Sequence, residues 1–182
     1  MLNVARHNSP AICRYLRARA HSLPFADHQF DAVACVAGMP YLHDPSTALA
    51  QWRRVCSPAG SIVFSVPADG AIPEFRLLQQ AASDHEIHLA APDVGTGDRR
   101  RLTAIVEAVG LACGHVTLGT WTERLTSAPD LALKRFLSYG CAEPLRTAST
   151  RVLDDYRRAA RAEHATGQAS HPEGAVRTLP DA

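Results

Sequence analysis

The chain has 182 residues, 46% of them hydrophobic and 20% charged, with a formal net charge of +1. This is the composition of an ordinary globular chain with one sizeable core, and it excludes both a disordered chain and one built around membrane spans. So small a charge gives no electrostatic footing for nucleic acid or an anionic membrane, and the basic residues are almost all Arg, with Lys134 the only lysine.

Residues 1–7 predict a short helical piece, closed by the turn cluster Asn8-Ser9-Pro10. Residues 11–16 alternate with apolar Ile12, Cys13, Tyr15 and Leu16 and predict a strand. Residues 32–36 are small, apolar and unbroken, the pattern of a strand buried on both faces. Asp44-Pro45-Ser46 then starts a helix through Cys56, with Leu49, Trp52 and Val55 or Cys56 inward. Residues 61–66 predict the next strand, 67–73 a loop, 74–85 a helix and 87–98 a longer loop. Residues 99–109 form an amphipathic helix with Leu102, Ile105, Val106 and Val109 on one stripe, stopped by Gly110. A strand over 115–121, helices over 129–139 and 147–164, and a last strand over 175–179 complete the chain.

The five cysteines, Cys13, Cys35, Cys56, Cys113 and Cys141, stand far apart with no Cys-x-x-Cys pair. That suggests neither a zinc site nor a disulfide framework, and it fits a reduced, cytoplasmic compartment. The first twenty residues hold Arg6, Arg14, Arg17 and Arg19 without an apolar core segment, so no signal peptide is visible. No apolar run approaches the length of a membrane span. Alternating strands and helices predict an α/β sheet with crossover connections, whose ligands sit beyond the carboxyl ends of the strands. Residues 36–44 and 67–73 fall on that edge.

Two stretches carry more than local structure. Leu23-Pro24-Phe25-Ala26-Asp27, running on to Phe30-Asp31-Ala32-Val33, precedes Leu42-His43-Asp44-Pro45 and then Val55-Cys56-Ser57-Pro58-Ala59-Gly60 leading into Ile62-Val63-Phe64-Ser65. Together they resemble the LPFxDxSFDxV, LHHLxDP, RVLKPGG and LVLS runs of class I S-adenosylmethionine-dependent methyltransferases, in the type 11-like branch acting on small molecules. The resemblance is weak from Met1, strong over 23–66 and moderate from Arg101 onward. It implies one partial methyltransferase-like domain over 1–182, with the helices at about 129–164 as lid-side additions. The match begins after the family's second strand, so the expected fold is an incomplete Rossmann-like sheet lacking its first two strands. Residues 11–16 must then pair directly with 32–36, leave the sheet, or wait for a partner chain.

The resemblance also implies S-adenosyl-L-methionine as cofactor, with Ala20, His21, Val36, Ala37 and Tyr41 at positions that touch it. Three of the family's anchors depart from pattern here. The glycine-rich turn and the ribose-binding acid are not found upstream, and the adenine-binding Asp position falls on Arg19, which has no acceptor to offer an amino group. The expected activity is methyl transfer to a small-molecule acceptor, incomplete in this chain; the alternative is a non-catalytic remnant or partner subunit. Expected partners are a small-molecule substrate and either a second copy or a complementing chain, with no nucleic acid and no membrane. The glycine-rich run Asp93-Val94-Gly95-Thr96-Gly97-Asp98 lacks a preceding strand and a following acid, so it reads as a loop capping the next helix.

His43 is the candidate general base, because an oxygen nucleophile gains from an imidazole that takes its proton. The competing reading is a solvated residue before a helix cap. His85 and His88 fall in the segment expected to cover the substrate mouth. Asp31 is expected to be structural, accepting backbone amides. Trp52 is expected in the core, Arg99-Arg100-Arg101 on a solvated face, and Cys35 and Cys56 as small buried apolar residues.

Overall fold

A computed structural model describes residues 2–8, 12–93, 95–120, 129–148, 150–166 and 173–178. Helix α1 (Leu2–His7) is followed by strand β1 (Phe30–Cys35), a short 3-10 helix (Met39–Tyr41), helix α2 (Pro45–Val55) and strand β2 (Cys56–Pro67). Helices α3 (Pro73–Ser83) and α4 (Arg99–Ala108), strand β3 (Val116–Thr120) and helix α5 (Pro129–Leu137) come next. A second 3-10 helix (Gly140–Thr147), helix α6 (Thr150–Thr166) and strand β4 (Glu173–Thr178) close the order.

The sheet runs β1-β2-β4-β3. β1 and β2 are parallel, from Ala32↔Ser61 to Cys35↔Phe64, and α2 joins them, as the two apolar runs with an amphipathic helix between them predict. β4 pairs antiparallel with both β2 and β3. Among the described residues β1 is therefore an edge strand, and Asp31, Ala32 and Ala34 along it are exposed.

Local signals account for most boundaries. The Asp44 carboxylate accepts the Thr47 amide at 3.0 Å and caps α2, whose buried stripe is Ala48, Leu49, Trp52 and Val55. Asp98 caps α4 in the same way, accepting the Arg101 amide at 2.8 Å. The run 93–98 is thus a capping loop, tied to the loop after β2 by Asp69 N donating to Gly97 O at 3.0 Å and Gly70 N donating to Asp93 Oδ2 at 3.0 Å.

Two cores result. One lies between the sheet and helices α2 and α4, around Trp52, Ile62, Phe64, Leu102 and Val106. The other is a helical cap, where α3, α5 and α6 bury Phe75, Leu78, Phe136, Tyr139 and Tyr156. Each such side chain taken fully from water contributes about 1.5–3 kcal/mol, so the cap has a core of its own.

The strand expected over 11–16 does not form: residues 13–18 make no ladder, and Ile12 is 90% exposed. Alternation alone does not dock a segment on a sheet, and this one leaves the open edge of β1 unpaired. Residues 9–11, Trp121 and Leu179 lie outside the described residues. The second 3-10 helix occupies a stretch expected as coil up to residue 147, and α6 starts at Thr150. Among the described residues no helix is long and apolar enough to cross a membrane.

Candidate active site

Beyond the carboxyl end of β1 the chain turns through Val36 and Ala37 into the first 3-10 helix. Ala37 adopts φ 52, a left-handed conformation costing an L-residue roughly 1–2 kcal/mol. Ser65 of β2 holds the turn, its Oγ accepting the Ala37 amide at 2.7 Å. Met39 and Pro40 are buried, whereas Tyr41 keeps 43% of its surface exposed. Leu42 closes the 3-10 helix, His43 is exposed, and Asp44 caps α2. The Thr47 hydroxyl and amide hold the Asp44 carboxyl below the usual range, with a smaller contribution from the charge of His21.

Four of the predicted residues, Val36, Ala37, Tyr41 and His43, therefore come together on one loop. Ala20 and His21 lie in a separate turn bridged by Arg19 and Ser22. Ala20 packs against the sheet core, and His21 is felt electrostatically at Asp44, so the two segments meet beside the α2 cap.

The helical cap is seated on this loop through residues that local patterning did not single out. The Tyr41 ring packs edge-on against Tyr139, with centroids 5.2 Å apart. Gly140 is buried with its Cα against the Leu42–His43 backbone. Burial pushes the Tyr139 hydroxyl up to about 12, opposed by the Arg135 charge and reinforced by Tyr41, Cys141 and Glu74. Glu74 Oε1 and Arg135 Nε are buried without a hydrogen-bond partner among the described residues. In sequence, Tyr139-Gly140 carries only the signal of a helix stop.

Of the other expectations, those for His85, Asp31 and Arg101 are corrected and those for Trp52, Cys56, Arg99 and Arg100 hold. His85 is not a polar residue at the mouth: its Nε2 lies 2.9 Å from Asp155 Oδ2, tying the segment after α3 to α6. His88 is exposed on the following loop. Asp31 is exposed, and among the described residues no amide reaches its carboxylate. Arg101 is not simply solvated, since it donates to both Asp98 and Asp69, while Arg99 and Arg100 are exposed. Cys35 is half-buried and Cys56 buried, and burial raises both thiol pKa values. Trp52 is in the core, its ring 6.0 Å from Phe64. Among the described residues no group of three or more His, Cys, Asp or Glu could hold a metal ion.

Residues 1–64 match the methyltransferase domain family. Over 73 residues the chain is 40% identical to the demethylmenaquinone methyltransferase of Renibacterium salmoninarum, covering 38% of this chain and 30% of that protein. Over 80 residues it is 36% identical to the malonyl-[acyl-carrier protein] O-methyltransferase of Erwinia pyrifoliae, covering 44% of this chain and 30% of that one. Over these residues the chain is similar to the class I S-adenosylmethionine-dependent methyltransferases. Solved methyltransferases share its Rossmann-like α/β fold: a putative methyltransferase from Bacillus halodurans aligns with TM-score 0.59 at 14% identity, over 100% of this chain and 79% of that one. The YcgJ protein from Bacillus subtilis aligns with TM-score 0.55 at 16% identity, over 100% and 76%. The chain spans about 30% of the length of these two curated relatives.

Family and fold imply S-adenosylmethionine as the cofactor. The described crevice does not fit it unaided. Val36 is 83% exposed, the outer edge of β1 carries no partner strand among the described residues, and the loop's carboxylate, Asp44, is committed to Thr47. The loop offers one wall and no free acceptor set for a ribose or an adenine amino group.

Proposed function

We propose that this chain is the acceptor-side part of a methyltransferase acting on a small molecule. One observation carries the reading: the family-matched run Tyr41-Leu42-His43-Asp44 stands at the carboxyl end of β1, with the helical cap seated on it through Tyr139 and Gly140. Methyl transfer gains chiefly from aligning nucleophile and donor and from excluding water. In this reading α3 and the segment after it, with α5 and α6, form the cover. Ala20, His21, Val36, Ala37 and Tyr41 line the wall, and His43 takes the proton of the acceptor. The first two strands of the family sheet are not among the described elements; a complementing chain or a second copy supplies the rest of the cofactor site against β1.

The test for His43 uses the active assembly. His43→Ala should lower turnover by roughly 10²-fold, the usual worth of a positioned base, with little change in KM. An unchanged rate across neutral pH removes His43 from the mechanism. The second reading, a non-catalytic partner subunit, is favoured by Arg19 at the adenine-contacting position and by the exposure of Val36. A complemented assembly that binds the cofactor but transfers no methyl group to any small-molecule acceptor would decide for it.

A further inference from the structure

At the opposite end of the strands from the crevice lies a recess of about 440 Å³, within the size range of small-molecule sites. Strand register creates it. β1 and β2 pair at Phe30↔Cys56 and next at Ala32↔Ser61, so two residues along β1 correspond to five along β2, and the surplus at Ser57, Pro58 and Ala59 bulges outward as a rim. Gly60 lets the bulge close, because a Cβ there would stand 2.6 Å from Asp31 O and 2.7 Å from Cys56 Sγ. The last turn of α2 and the Gly110 turn after α4 form the walls, and Ile62 and Leu111 supply apolar lining.

The charges around the recess are unevenly satisfied. Arg54 is fully engaged, donating to Asp27 at 2.7 Å, Phe25 O at 2.8 Å and Leu23 O at 2.9 Å. Arg53 beside it is exposed and makes no hydrogen bond or ion pair among the described residues. Its guanidinium lies over Gly110, with Cζ 3.2 Å from where a Cβ would stand. The carboxyl-terminal dipole of α4 favours a cation there but leaves the planar fork of donors open.

His28 stands on the rim at φ 57, a strained backbone of the kind that marks functional positions. Its amide donates to Arg54 O at 2.9 Å, and its Nδ1 lies 3.1 Å from Cys56 O. A carbonyl can only accept, so Nδ1 carries the hydrogen, and Nε2 of the neutral ring is left as an acceptor.

We infer that this recess binds a small organic phosphate. Arg53 takes the phosphate, the Ser57 hydroxyl donates to a further oxygen, and the organic part lies over Ile62 and Leu111 beside His28. A phosphate, with three oxygens to satisfy, matches the guanidinium fork and the Ser57 hydroxyl together, whereas the fork alone satisfies both oxygens of a carboxylate. The site lies away from the crevice and does not depend on the activity proposed there.

The test is calorimetric titration of the whole chain with phenyl phosphate and with inorganic phosphate, at an ionic strength held constant with chloride. Phenyl phosphate should bind more tightly than inorganic phosphate. Arg53→Gln should weaken it at least about tenfold, the loss expected for a charge-assisted hydrogen-bond pair, and Ser57→Ala severalfold, with unfolding temperatures unchanged in both variants. Amide shifts on binding should fall at residues 53, 57 and 111. Absence of phenyl phosphate binding, or binding that Arg53→Gln leaves intact, overturns the site. Equal affinity for the two probes overturns the organic ligand and leaves a free-phosphate site.

Discussion

Replacing Gly140 with alanine probes how the helical cap is joined to the crevice loop. A Cβ at this buried position would stand 2.7 Å from the Leu42 carbonyl carbon and 3.0 Å from His43 N, and nearest of all to the Leu42 oxygen. These are backbone atoms, so no rotamer change makes room, and the two segments must part by on the order of 1 Å to restore ordinary carbon contacts. Overpacking of this kind costs about 1–3 kcal/mol. Loosening the edge-on Tyr41–Tyr139 contact adds about 0.5–1.5 kcal/mol. For a chain of this length each kcal/mol moves Tm by about 2–4 °C, so Gly140→Ala should melt roughly 3–18 °C lower. Gly95→Ala is the control: nothing lies within 4 Å of its Cβ position, and both substitutions remove comparable freedom from the unfolded chain. Scanning calorimetry gives the two midpoints, and hydrogen exchange at the amides of 41–44 should quicken in Gly140→Ala alone. If the two variants melt together, the cap is not seated on the His43 loop and the reasoning fails.

Arg54→Met should lower stability by about 2–3 kcal/mol, because the carbonyls of Leu23 and Phe25 lose a charged donor; Asp27→Ala, which removes only an exposed pair, should cost no more than about 1 kcal/mol. Urea midpoints at constant m check this, and equal losses would show that the ion pair and not the carbonyl clamp holds the loop. The carboxyls of Asp98, Asp130 and Asp155 are held below their usual value of 3.8, chiefly by hydrogen bonds from Arg101, Arg157 and His85 respectively. A depressed carboxyl contributes stability above its unfolded pKa and loses it as pH falls toward the folded one, so thermal midpoints should drop below about pH 4. Asp155→Asn should flatten part of that slope, and identical slopes would refute its share. Titrated with S-adenosylmethionine, the chain alone should show weak binding or none; a dissociation constant in the low micromolar range contradicts the account of the crevice.

What the sequence made legible was whatever carries its own signal. Asp44-Pro45 with Leu49, Trp52 and Val55 on one stripe is a complete description of α2, cap included. Asp98 with Leu102 and Val106 does the same for α4. Residues 11–16 alternate just as regularly, yet alternation does not dock a segment on a sheet, and residues 12–16 make no ladder with the open edge of β1. Pro58-Ala59-Gly60 reads locally as a turn before a strand, whereas pairing of Cys56 with Phe30 makes it a bulge within β2. The 3-10 helix at Gly140–Thr147 has Pro144 inside it, and its first residue lies against the Leu42 backbone, far back in the chain.

The site was legible only where chemistry and chain position coincide. Val36, Ala37, Tyr41 and His43 share a loop because they share a short stretch of sequence, and a motif can locate such a loop. What faces it comes from far along the chain: Tyr139 and Gly140 from the cap, Ser65 from β2. His85 shows the cost of reading locally, since a histidine in a polar segment takes its role from Asp155 on a helix formed later in the chain. A methyl donor must be enclosed before it can be aligned, and this loop leaves Val36 largely in solvent at an unpartnered sheet edge. The surface that completes the site has therefore to bring two things together, backbone partners for β1 and acceptors for the cofactor. Both requirements fall on the same side of the sheet, so a single added strand-bearing element can meet them.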